Sequence, residues 1–227
     1  MKTPRLPAAR LGSMILGLAA AIAPPARACD VALLLAIDVS GSIDAGEYRL
    51  QAGGLAAALA DPEIAEVLLT GQVALAVVQW SGSGQQVLSL PWRRMLRPSE
   101  VRSFAERAAA MPRAYSGSDT AVGEAVGFAA AAFAPVADCR RKVIDISGDG
   151  PLNAGAPVGP PRAGAIAAGI DINAIAIEDM GRASPISAFY LRQVITPEGF
   201  VMTARGLGDY PRAIREKILR EVARPLG

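Results

Sequence analysis

The chain has 227 residues, with 23 Lys or Arg, 21 Asp or Glu and no His. The absence of histidine excludes Ser-His-Asp and Cys-His catalysis, zinc sites with His ligands, and pH switching by an imidazole group. The formal net charge of +2 is small.

The first 28 residues have the pattern of a secretory signal peptide. Three basic residues precede an apolar run at residues 11–23, and Ala26-Arg27-Ala28 fits a signal peptidase site. The run is shorter than the about 20 apolar residues that span a bilayer, so we expect cleavage, with an uncleaved membrane anchor as the alternative. Removing this segment's four basic residues from 23 leaves 19 against 21 acidic residues, a net charge of −2. Nothing in the mature chain therefore indicates a nucleic-acid partner or a transmembrane helix.

The only cysteines of the sequence are Cys29 and Cys139. In an exported protein, periplasmic or secreted, an even number of cysteines predicts a disulfide, with two buried free thiols as the alternative. Cys29 directly follows the expected cleavage site, but a lipidation signal would require Leu where Ala26 stands. We therefore do not expect a lipid anchor.

Apolar runs of strand length alternate with helical patterns along the mature chain. Residues 31–37 are continuously apolar, which predicts a parallel strand buried on both faces. Asp44 and Glu47 have the spacing of a capping box, which predicts a helix to about residue 59. Further strands are predicted at 73–80, 86–92 (antiparallel to its predecessor), 142–146, 170–177 and 200–203, and further helices at 99–110, 120–133, 161–168, 185–194 and 209–222.

This order predicts one α/β domain over residues 29–227. We expect a doubly wound, mostly parallel sheet with one antiparallel edge strand and helices on both faces. In such sheets, ligands bind beyond the carboxyl ends of the parallel strands.

Three segments at that edge carry carboxylate and hydroxyl groups. Asp-Val-Ser-Gly-Ser at residues 38–42 ends the first strand, Ser-Gly-Asp-Gly at 147–150 ends a later one, and Ser-Gly-Ser-Asp-Thr at 116–120 opens a helix. Hard divalent cations prefer oxygen ligands, and Mg²⁺ takes six of them while often keeping waters. If the chain turns sharply at Gly41, five protein groups can converge on one cation: Asp38, Ser40, Ser42, Thr120 and Asp149.

Simpler structural roles are open for the same residues. Asp, Ser and Gly are common in turns, so the first segment could merely shape one. Thr120 could cap a helix, and Glu178 and Asp179 fit a solvated strand end. Asp145, inside a predicted buried strand, needs a partner; it could orient a ligand-bearing loop or pair with an arginine from a helix.

The three segments, in this order, resemble a von Willebrand factor A domain. Asp-x-Ser-x-Ser after a buried strand, Thr at a helix start and Asp-Gly after a later strand form that family's metal-ion-dependent adhesion site. The resemblance maps the family's ligand positions onto the five residues named above. The segments around Glu47, Trp80, Trp92 and residues 143–151 further resemble a bacterial subgroup of exported von Willebrand A-like proteins of unassigned function.

The sequence departs from the family pattern at two places. Ser118-Asp119-Thr120 replaces the usual Gly-Gly-Thr, so Ser118 is an alternative hydroxyl ligand and Asp119 an additional carboxylate. Gly148 stands where the family often has Thr, directly before Asp149.

The resemblance implies a metal-dependent binding module and no enzymatic activity. It implies one divalent cation, with Mg²⁺ favoured over Mn²⁺ or Ca²⁺, Asp149 acting mainly through water, and an open coordination position filled by Asp or Glu of a protein partner. It also implies that Cys29 and Cys139 lie side by side at the opposite end of the sheet. The alternatives are a structural or assembly factor with a vestigial metal site, and a metal-dependent phosphohydrolase, in which Ser40 would replace a second carboxylate.

Overall fold

A six-stranded sheet forms the centre of the computed structural model, which describes residues 29–117, 119–178 and 185–223. Its elements in chain order are β1 (Val31–Asp38), α1 (Ala45–Ala60), α2 (Pro62–Thr70), β2 (Ala74–Trp80), β3 (Gln86–Arg94), α3 (Pro98–Ala109), α4 (Val122–Ala131), β4 (Arg141–Gly148), α5 (Gly159–Ala167), β5 (Ile170–Glu178), α6 (Ile186–Phe189), β6 (Val201–Arg205) and α7 (Tyr210–Val222). A π-helical turn, Tyr190–Val194, directly follows α6.

The strand order is β3-β2-β1-β4-β5-β6. All neighbouring strands are parallel except β2 and β3, which confirms the predicted antiparallel edge strand. β1 lies between β2 and β4, and its last residues pair with Trp80 on one side and Ser147 on the other. The first predicted loop therefore leaves the sheet near its middle.

Both faces of the sheet are covered by helices, which explains the continuous apolar sequence of β1. All eight of its residues are buried. Leu33 and Leu35 pack with α1, α3 and α7 on one face, whereas Ala32 and Leu34 pack with α4, α5 and α6 on the other. The predicted fold class is confirmed.

Local sequence signals placed most helix starts correctly, with two exceptions. The capping box of α1 forms as predicted, but α2 was not predicted. Its start is specified by Asp61, whose carboxylate accepts hydrogen bonds from two amides of the first turn.

The predicted helix at 120–133 instead begins at Val122, so Thr120 does not cap it. The Thr120 amide donates to Asn153 Oδ1 at 2.7 Å, and the Asn153 amide donates back to the Thr120 carbonyl at 3.2 Å. These bonds tie Thr120 to the loop after β4.

Cys29 and Cys139 form a disulfide at the amino ends of β1 and β4. Their Cα atoms are 4.5 Å apart, and the Arg140 amide donates to the Cys29 carbonyl at 2.9 Å. The bridge is therefore at the opposite end of the sheet from the loop at 38–42. No helix of the described part is long and apolar enough to cross a membrane; the expected signal peptide at 1–28 lies outside it.

Asp145 pairs with a lysine, not with an arginine. Lys217 Nζ of α7 lies 2.6 Å from Asp145 Oδ1 and 2.5 Å from Glu221 Oε1, and all three side chains are buried. Asn173 of β5 donates to the same Glu221 oxygen at 3.0 Å. Two acids and one base are thus enclosed between the sheet and α7.

Candidate metal site

The candidate site is formed where β1 ends. Asp38 is fully buried, and its Oδ1 accepts a 2.8 Å hydrogen bond from the Ser40 amide. This bond turns the chain back, so that Ser40 Oγ and Ser42 Oγ lie 3.3 Å apart. Ser40 is buried, whereas Ser42 is exposed to solvent.

A direct contact joins this loop to the one after β4. Ser42 Oγ donates a 2.7 Å hydrogen bond to Asp149 Oδ1, across 107 positions of sequence. Thr120 is buried next to the same loop: its Oγ1 is 3.6 Å from the point where a Cβ on Gly150 would lie. The five residues predicted as ligands therefore lie around one edge of the sheet.

None of the additional candidates that the structure describes joins this group. Ser118 and Asp179 lie outside the described residues. Asp119 is exposed, and its backbone carbonyl accepts a 3.4 Å hydrogen bond from Ser81 Oγ. Asp145 is occupied by Lys217. Glu178, expected to be solvated, is half-buried and accepts a hydrogen bond from the backbone amide of Ser187.

The electrostatics of Asp38 fit a cation. Burial raises the pKa of Asp38 to about 7, against the opposing hydrogen bonds from Ser40. The second oxygen, Asp38 Oδ2, is buried and has no hydrogen-bond partner among the described residues. A buried carboxylate oxygen requires a donor or a cation, and a divalent ion would meet that requirement.

A cation at this site would need hydroxyl groups among its ligands. Over the described ranges, no three His, Cys, Asp or Glu side chains are grouped so that they could hold a metal. Asp38 and Asp149 provide two negative charges, and Ser40, Ser42 and Thr120 provide neutral oxygens. Such an all-oxygen set matches the ligand preference of Mg²⁺ or Mn²⁺.

Arg113 stabilises the loop at residues 38–42 and was not predicted from the sequence. Its guanidinium group donates to the carbonyls of Val39 and Ser40, at 2.9 and 2.8 Å. The buried Gln79 side chain binds the backbone on either side of Arg113, at 2.9 Å in each case. The sequence feature that could have indicated this support is Gln79, a glutamine inside the otherwise apolar strand β2.

Glu124, near the start of α4, stabilises a second loop, the turn between β2 and β3, and was not predicted either. Its carboxylate accepts hydrogen bonds from the Gly84 amide and from Ser83 Oγ, at 2.7 Å each. These bonds lower the pKa of Glu124. They fix the turn between β2 and β3 against the helix that follows Thr120.

Solved structures with a similar fold include binding and matrix proteins. Proximal thread matrix protein 1 from the mussel byssus matches with a TM-score of 0.66 and 20% identity, over 87% of this chain and 49% of that chain. The pilus adhesin SpaC from Lactobacillus rhamnosus GG matches with a TM-score of 0.63 and 14% identity, over 85% and 30%. A von Willebrand factor type A protein from Catenulispora acidiphila matches with a TM-score of 0.58 and 19% identity, over 87% and 44%.

These similarities show the fold, because all the identities are below 25% and the chain spans half or less of each protein. One structure of the mussel protein is described as having a zinc-occupied MIDAS motif, the metal-ion-dependent adhesion site. No curated protein sequence matches significantly. The family model described as "Protein of unknown function (DUF1194)" matches residues 28–226.

Proposed function

Because the chain belongs to the DUF1194 family and has a von Willebrand A fold, we propose that it is a binding module that holds one divalent cation. The observation that carries this proposal is the hydrogen bond between Ser42 and Asp149. It brings two acidic and hydroxyl-bearing loops together beside Asp38 Oδ2, a buried oxygen for which the described residues provide no hydrogen-bond donor.

Five residues would hold the cation, and Mg²⁺ suits them best: Asp38, Ser40, Ser42, Thr120 and Asp149. The bound ion would supply a positive centre for an anionic group of a partner. Ser42 is exposed and Asp149 half-buried, so the approach from solvent lies on their side of the site. An Asp or Glu carboxylate of a protein partner is the ligand that this arrangement fits.

The charge balance determines how strongly such a carboxylate is attracted. Two ionised aspartates would neutralise a 2+ ion if both coordinated it directly. We propose that Asp149 acts through water, since its Oδ1 is already engaged by Ser42 at 2.7 Å. The cation would then keep part of its charge for the partner.

We further propose that residues 1–28 are removed on export and that residues 29–227 form one periplasmic or secreted domain. The disulfide between Cys29 and Cys139 supports export, because such bonds persist in oxidising compartments. Amino-terminal sequencing of the exported protein should begin at Cys29. A start at Met1 would contradict cleavage.

Calorimetric titration with Mg²⁺ tests the metal site. The EDTA-treated wild type should bind one ion, Asp38→Ala should abolish binding, and Ser42→Ala should weaken it at least about tenfold. Ser99→Ala, which removes an exposed hydroxyl on α3, is the matched control and should bind normally. No binding by the wild type, or equal binding by Ser42→Ala, would contradict the proposal.

A pull-down from an exported-protein extract, with and without EDTA, tests the partner. Capture that depends on Mg²⁺ and is lost in Asp38→Ala supports a metal-dependent module. Capture of a partner that is unaffected by EDTA would favour an assembly factor with a vestigial metal site. Hydrolysis of a phosphate ester that disappears in Asp38→Ala would favour an enzyme instead.

A further inference from the structure

Tyr190 places a buried hydroxyl group close to Gly148 and Asp38 of the candidate metal site. The side chain is fully buried, and its hydroxyl has no hydrogen-bond partner among the described residues. The residue begins the π-helical turn Tyr190–Val194. Unpartnered buried hydroxyls are uncommon and costly, and π-helical turns occur frequently at functional sites.

The position of this hydroxyl is defined by Gly148, the residue before Asp149. A Cβ on Gly148 would overlap Tyr190 Oη, would lie 2.9 Å from Asp38 Oδ2, and would lie 3.3 Å from Cζ2 of Trp80. The hydroxyl, the carboxylate oxygen and the indole edge thus converge on the space that glycine leaves open.

Each of these three side chains has a buried polar atom without a partner in the described part of the chain. The atoms are Asp38 Oδ2, Tyr190 Oη and Trp80 Nε1. Two of them, the hydroxyl and the indole N–H, are donors, and the carboxylate oxygen is an acceptor. Two of these atoms, Asp38 Oδ2 and Tyr190 Oη, lie within 3 Å of the same point above Gly148, so one of the proposed ligands has an unused donor close to it.

We propose that Tyr190 is a positioning residue for the metal site, and that its hydroxyl donates a hydrogen bond to Asp38 Oδ2 when the cation is bound. The inference rests on the proposed function, since a bound cation requires Asp38 to be ionised in a buried setting. The Ser40 amide already donates to Oδ1 at 2.8 Å, and in the cation-bound state the Tyr190 hydroxyl would donate to the other oxygen. A hydrogen-bonded partner of this kind fixes the orientation of a metal-binding carboxylate.

The hydroxyl is suited to this role because it keeps its proton. A phenol is protonated at physiological pH, because its ordinary pKa is about 10. The group is therefore a donor at physiological pH. The ring itself packs edge-on against Phe189, with centroids 5.4 Å apart, so packing accounts for the ring but not for the oxygen.

The test compares two substitutions that each remove one buried hydroxyl. Tyr210 is also fully buried with an unpartnered hydroxyl, but it packs with β1 and α7 on the other face of the sheet. Tyr190→Phe and Tyr210→Phe are therefore matched in chemistry and burial, and they lie on opposite faces of the sheet.

We expect Tyr190→Phe to raise the Kd for Mg²⁺ about 10- to 100-fold, and Tyr210→Phe to leave it within about twofold. In EDTA, Tyr190→Phe should melt at or above the wild-type temperature, because it removes an unpartnered buried group. A role in packing alone would instead lower the melting temperature in EDTA and leave the Kd unchanged.

The outcomes separate this inference from the proposed function. Mg²⁺ binding that is equally tight in the wild type and Tyr190→Phe overturns the role of Tyr190 and leaves the metal site intact. Equal weakening in both phenylalanine variants also overturns it. A wild type that binds no Mg²⁺ overturns the proposed function and this inference together.

Discussion

Removing the disulfide should cost a large part of the stability without affecting the metal site. The bond joins Cys29 and Cys139, which are 110 positions apart. For a loop of that length, the chain-entropy model gives about 16 cal/mol/K, or about 5 kcal/mol at 25 °C. Stabilities of native proteins are about 5–15 kcal/mol, so the double variant Cys29→Ala/Cys139→Ala should be only marginally folded.

Urea denaturation of the variant and of the oxidised wild type measures this difference. We expect a lower transition midpoint and a larger m-value, because the unfolded chain without the bridge exposes more surface. Reduced wild type is the control and should behave like the variant. Cys29 precedes Asp38 by nine positions, about 30 Å along a strand, so Mg²⁺ affinity should not change while the protein is folded. A loss below about 1 kcal/mol with an unchanged m-value would refute the entropic reasoning.

Three further substitutions test other parts of the structure. Lys217→Met removes the buried ammonium group that pairs with Asp145 and Glu221 and should cost about 3–5 kcal/mol in urea denaturation at pH 7; a loss below about 1 kcal/mol would contradict this. Burial, and then the charge of Glu221, raises the pKa of Asp145 from 3.8 to about 7. Between about pH 4 and 7, Asp145 is thus protonated in the folded protein but ionised in the unfolded chain. The free energy of unfolding without metal should therefore fall as the pH rises through this range. Asp145→Asn should make that decline less steep. Parallel curves of stability against pH for the variant and the wild type would contradict the assignment of the decline to Asp145. Gly148→Ala introduces a methyl group that overlaps the Tyr190 hydroxyl and should abolish Mg²⁺ binding in calorimetry; normal affinity would show that this corner of the site can adjust.

The sequence predicted an element correctly where the interactions that form it are between residues close together in the chain. Asp44 and Glu47 are three positions apart, and both hydrogen bonds of their capping box form. The continuous apolar run of β1 follows from burial on both faces. α2 was not predicted: Pro62 follows the end of α1 so closely that it fits a helix stop, although Asp61 before it is also a helix-start signal.

Contacts between distant segments were not predictable in the same way. Arg113 binds carbonyls 73 and 74 positions away, and no local motif specifies which loop such an arginine supports. The late start of α4 depends on Asn153, 33 positions beyond Thr120. The ligand candidates could be identified because each is part of a short motif, whereas the groups that support them are single residues in unrelated segments.

The positions of the two described chain ends have a practical consequence for experiments. The Cys29 carbonyl accepts a hydrogen bond from Arg140, and the Glu221 carbonyl of α7 accepts one from the adjacent Arg141 at 3.0 Å. Both segments are therefore hydrogen-bonded to the start of β4, at the opposite end of the strands from the loop at 38–42. The domain could be immobilised on a sensor surface, or fused to a display scaffold, through either end, and the loop edge would face the solution in both orientations.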